Sequence, residues 1–155
     1  MKKRILIIIS VILLLVLSVV AYFYIWGGKP YIENFAEISN DYESVAQLAL
    51  NTYSELSPEE EYIIIDIYDC NFKYDNSNLP LTEAQQNAVR TAGEKFDYLR
   101  VCKDAVFFCE DETGYYGLVY SKHPLAALYK AELPQDDREY HRINSHWYEW
   151  GVWGI

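Results

Sequence analysis

Histidine and cysteine are scarce in this chain of 155 residues, three of each, and its 13 Lys and Arg are outnumbered by 23 Asp and Glu. Each shortage excludes something. His141 and His146 are an odd number of residues apart, so on a regular strand they point to opposite faces, and neither forms a standard zinc pattern with His123. Cys70, Cys102 and Cys109 are odd in number, so oxidation of one pair leaves a thiol over. A Cys nucleophile needs a His base, and no spacing here argues for one. All 23 acids but only ten of the 13 bases lie beyond Arg4, a formal charge of −13 over that part. Such a surface repels phosphate backbones and anionic head groups, which excludes nucleic acid as a partner. Asp66, Asp69, Asn71 and Asp75 supply hard oxygens, but Lys73 sits among them and the sharp-turn Gly of an EF-hand is missing. There is no internal repeat and no catalytic motif. No cofactor and no metal are expected.

What is present begins with an apolar run, Ile5 to Ile25, free of charge and preceded by Met1-Lys2-Lys3-Arg4. At about 1.5 Å per helical residue it matches a hydrocarbon layer of about 30 Å. It reads as a transmembrane anchor over 5–26, with 1–4 as a cytoplasmic basic flank, 27–30 as a linker and 31–155 as an extracytoplasmic domain. Tyr22, Phe23, Tyr24 and Trp26 suit the head-group level. A signal peptide cut after Ala21, with secretion, is the alternative. An inverted anchor, with the domain inside, is a second.

Beyond residue 30 the pattern is mixed. Phe35, Ile38, Tyr42, Val45, Ala49 and Tyr53 recur at steps of three and four, predicting a helix over 31–56, with Asn40 and Glu43 as an internal N-cap that would divide it. Residues 62–68 predict a strand, and 71–80 a turn-rich loop. Thr82 and Gln85 form a capping box for a second helix that Gly93 closes at its C′ position. Residues 96–121 predict a three-stranded meander turned at Lys103-Asp104 and Glu112-Thr113-Gly114. Its register sets Val101 opposite Val106, Leu99 opposite Phe108, Phe108 opposite Leu118 and Val106 opposite Tyr120. Residues 125–132 predict a short helix and 140–153 a single last strand. The expected fold is α+β: an N-terminal transmembrane helix, then one antiparallel sheet of about four to five strands with helices on one face.

Aromatic residues make up 16% of the chain, with 15 Tyr and 4 Trp. Tyr115, Tyr116, Trp147, Trp150 and Trp153 are the candidates for a partner-binding platform, because Trp and Tyr are enriched where proteins bind one another. Cys70, Cys102 and Cys109 are the candidates for a disulfide, with Cys70 paired to one of the others because Cys109 should face Tyr98. The functional expectation is a membrane-held, acidic, non-catalytic domain that binds a protein or cell-wall partner, with basic partners favoured by steering. A hydrolase using a carboxylate or a Cys/His pair is the alternative from another class.

Overall fold

A computed structural model describes residues 12–18, 32, 34–56, 58–110, 116–124 and 139–151. The chain divides into two units, Met1–Glu33 and Asn34–Ile155. In the first, residues 12–18 are helical. No helix among the described residues is long and apolar enough to cross a membrane. The anchor over 5–26 and the single-pass placement built on it therefore do not hold in this structure. The rest of that run, its basic flank, the linker at 27–30 and the cleavage site lie outside the described residues.

In the second unit, helix α1 (Phe35–Leu56) is followed by strand β1 (Tyr62–Asp66) and a single 3-10 turn (Tyr68–Cys70). Then come β2 (Lys73–Tyr74), β3 (Ser77–Asn78), α2 (Glu83–Gly93), β4 (Tyr98–Cys102), β5 (Ala105–Cys109), β6 (Tyr116–Ser121), β7 (Glu139–Arg142) and β8 (Trp147–Gly151). All eight strands belong to one sheet in the order β3-β2-β1-β4-β5-β6-β8-β7, and every pairing is antiparallel. Eight strands replace the expected four to five, for two local reasons. The loop at 71–80 contains a hairpin of two-residue strands, too short to show alternation, turned by Asp75 and Asn76 at φ 47° and 60°. The stretch 140–153 is split into β7 and β8, because the Asn144 side-chain oxygen accepts from the His146 and Trp147 amides at 2.9 and 3.0 Å. The helix expected at 125–132 and the turn at 112–114 lie outside the described residues.

The meander follows its turn chemistry: Leu99 pairs Phe108, Val101 pairs Val106, Phe108 pairs Leu118 and Val106 pairs Tyr120. These residues share one face with Ile63, Ile65 and Trp147, and α1 packs there. Tyr42 sits 5.7 Å from Phe108, 5.8 Å from Phe96 and 6.4 Å from Trp147, ring centre to ring centre. Gln47 donates to the Tyr120 hydroxyl at 2.8 Å. α1 is one continuous helix, because Asn40 and Glu43 fall inside it without breaking its hydrogen bonding. α2 has the expected capping box and is tied to α1 by Thr91, whose hydroxyl donates to Asp41 at 3.1 Å.

Gly93 is not the C′ residue; it is the last residue of α2, with Glu94 as the cap. Its role is close approach, since a Cβ there would stand 2.6 Å from the Ile67 carbonyl oxygen. Gly93→Ala should cost about 1–3 kcal/mol of stability, the usual range for forced overpacking, despite the better helix propensity of Ala. Urea unfolding checks this, and a midpoint equal to or above that of the parent would contradict it.

Burial, reinforced by Glu94 and Asp41, pushes the Tyr42 hydroxyl up to about 12. A group held protonated in the fold stabilises it fully below its unfolded value of about 10, and that contribution is lost as pH rises towards 12. Stability should therefore fall between pH 10 and 12, and Tyr42→Phe should flatten that fall. Thermal melts across this range test it; an unchanged slope in the variant would contradict the assignment.

Candidate functional site

The aromatic platform expected at the C-terminal end is largely core. Trp147 and Trp150 are each 2% exposed and point to opposite faces of the sheet. Trp147 lies against Phe35, Tyr42, Phe108 and Tyr120 at 5.2 to 6.4 Å. The indole of Trp150 lies over Gly117, where a Cβ would stand 2.8 Å from Nε1, and that nitrogen donates to the Leu118 carbonyl at 3.1 Å. Tyr116 is exposed; Tyr115 and Trp153 lie outside the described residues.

The cysteines are separated by environment. Cys70 is an exposed thiol on the 3-10 turn, whereas Cys102 and Cys109 are buried thiols on β4 and β5. Cys109 pairs with Tyr98 across the strands, as the hairpin register requires. Cys70 lines a cleft of about 270 Å³ with Gln86 and Arg90, and no histidine lines it.

Ser121, His123 and Asp104 come together, but not as a nucleophile and its base. The Ser121 hydroxyl donates to the His123 carbonyl and accepts from its amide, a local turn, while His123 Nε2 lies 3.9 Å from Asp104. His146 Nδ1 lies 3.1 Å from the Ser121 carbonyl oxygen, and its ring stacks on Tyr120. His141 is opposite Glu149 on β7 and β8.

Another concavity lies elsewhere. A cleft of about 500 Å³ is lined by Asp66, Tyr68, Asp69, Asn71, Lys73, Asn76, Asp97 and Tyr98. Its walls follow from register: Asp66 is the partner of both Tyr98 on β4 and Lys73 on β2. The 3-10 turn closes one side. The amides of Ile67 and Tyr68 donate to the Asp97 carbonyl at 2.9 and 3.0 Å, and the Asn71 side chain donates to the Tyr68 carbonyl at 3.0 Å. Asp69 and Cys70 are both left-handed, at φ 56° and 61°, which reverses the chain at this point. Gly93 lets α2 press against the turn from behind. Three carboxylates and one ammonium line the cleft, so its formal charge is −2.

Sequence reading marked Asp66, Asp69, Asn71 and Asp75 as an oxygen-rich set with Lys73 among them; Asp75 does not line the cleft, and Tyr68, Asn76, Asp97 and Tyr98 were missed as neighbours. Strand pairing brings Asp97 and Tyr98 to them, and the β-rich run at 62–68 was the signal for that strand. Among the described residues no group of three or more His, Cys, Asp or Glu is arranged to hold a metal ion. The lining offers charge, amides and two phenol rings, and contains no Ser, Cys or His. Such a set can hold a cationic group by charge-assisted hydrogen bonds and ring contact. No family model, no curated protein and no solved structure matches this chain.

Proposed function

We propose that this domain is a binding module that holds a basic segment of a partner protein, with the cleft between β1, β2 and β4 as its site. The observation that supports this most is the lining: Asp66, Asp69 and Asp97 against the single Lys73, with Tyr68 and Tyr98 as flat walls. A Lys or Arg side chain fits this chemistry, because its stem packs on the rings and its head meets the carboxylates. Tyr68 is 60% exposed and ready to cover an entering stem. The formal charge of −10 over the whole chain steers a basic partner from a distance and speeds encounter more than it strengthens the complex.

Calorimetric titration of the full chain with a short lysine-containing peptide amide, and with its glutamate counterpart, tests this reading. The lysine peptide should bind, and binding should weaken as salt is raised. The glutamate peptide should not bind. Asp66→Asn with Asp69→Asn should weaken the lysine peptide about tenfold, the sum of two partly screened ion pairs. The fold tolerates both changes, since Asp66 is exposed and Asn accepts the left-handed conformation of Asp69. Equal affinity for the two peptides, or no effect of the double variant, would overturn the proposal.

A further inference from the structure

Strand β1 is apolar on both faces. Ile63 and Ile65 point into the core at 2% and 0% exposure, while Tyr62 and Ile64 point the other way at 40% each. A central strand apolar on both faces is the pattern of a strand buried on both faces. β1 lies between β4, which pairs with it from Tyr62 to Asp66, and β2, which pairs with it at Asp66, and only one of its faces is covered. The contrast lies within a single sheet surface. On the same face as Tyr62 and Ile64, Phe107, Val119, Tyr148 and Trp150 are buried. Coverage stops at β4.

Arg100 marks the boundary. It is the cross-strand partner of Ile64, its Cζ lies 4.0 Å from the centre of the Tyr62 ring, and its buried Nε has no hydrogen-bond partner among the described residues. The guanidinium lies against the ring in a cation–π contact, which favours this position of Tyr62. The third outward residue of β1 is Asp66, which lines the cleft. Tyr62, Ile64 and Asp66 thus form one row, spaced about 6.7 Å apart along the strand. At the other end, Glu59, Glu60 and Glu61 precede Tyr62. The row is apolar in the middle and acidic at both ends.

We infer that this row is the continuation of the cleft and that it takes an extended partner segment lying along β1. The inference rests on the cleft reading above and adds what that reading lacks, a sequence pattern for the partner. A basic residue enters the cleft, and the residues two and four positions away, which share its face in an extended chain, are apolar and cover Ile64 and Tyr62. Charge complementarity commits the occupant: a basic, amphipathic segment of another protein meets an apolar row with acid at both ends.

Three peptide amides titrated into the full chain test this. One is Lys-Ser-Leu-Ser-Phe, one is Lys-Leu-Ser-Phe-Ser, with the same composition but its apolar residues on the other face, and one is Lys-Ser-Ser-Ser-Ser. The first should bind about tenfold more tightly than either of the others, the equivalent of burying part of two apolar side chains. Tyr62→Ser with Ile64→Ser should remove that gain and leave the affinity for Lys-Ser-Ser-Ser-Ser unchanged. Both substitutions are at outward positions, and a melting curve like that of the parent confirms the fold. Equal binding of the patterned and shuffled peptides, or a gain that persists in the double variant, would overturn the inference while leaving the cleft reading intact. A parent dimer in sedimentation that the double variant abolishes would overturn it as well, by assigning the row to a second copy. Failure of all three peptides to bind would remove the cleft reading and this inference together.

Discussion

The packing of Tyr42 against the sheet is the contact on which the rest of this domain depends. One ring on α1 meets Phe96, Phe108 and Trp147, which come from the segment before β4, from β5 and from β8. Phe35, about two helical turns earlier, adds a second contact with Trp147 at 5.3 Å. Edge-to-face and tilted aromatic pairs bury large area and add directional preference, so this cluster fixes both the position of α1 and its rotation. The cluster joins elements that are far apart in sequence, and no disulfide among the described residues supplements it.

From that anchor the asymmetry of the sheet follows. The face turned to α1 is closed from β1 to β8, so Ile63, Ile65, Leu99, Val101 and Phe108 are buried. The opposite face is closed over β5, β6 and β8 and at Cys102 of β4, with Trp150 crossing Gly117 and packing against Phe107. β1 and the edge hairpin β2–β3 extend past that closure. The cleft forms where they do, because the left-handed pair at Asp69 and Cys70 turns the chain back across the end of β1 and the short hairpin supplies the remaining wall. The proposed binding surface is thus a consequence of where packing ends. Its acidity is the local expression of a charge imbalance carried by the whole chain.

Much of this was legible in the sequence wherever local chemistry was decisive. The capping box at Thr82 and Gln85 and the register of the meander are set by turn residues and alternation within a few positions, and both are present. Three features were not legible. Two-residue strands at 73–74 and 77–78 have no periodicity to detect. Burial of Trp147 and Trp150 depends on what lies over each face, which no property of the strand itself contains. Gly93 reads as a helix stop on local grounds, whereas its constraint comes from Ile67, on a different element. The apolar run at the N-terminus has the composition of a membrane span, yet no helix among the described residues is long and apolar enough to cross a membrane. The cleft was half visible: Asp66, Tyr68, Asp69 and Asn71 lie within six positions of one another, and Asp97 and Tyr98 arrive only through the pairing of β1 with β4.

The central claim is that the working surface lies along β1 and its cleft, away from the tryptophans of β8. Hydrogen–deuterium exchange of the full chain with and without the patterned lysine peptide tests it most directly. Added protection should concentrate in residues 62–73 and 97–100, with residues 147–151 unchanged. Protection confined to residues 147–151, with none along β1, would contradict the account.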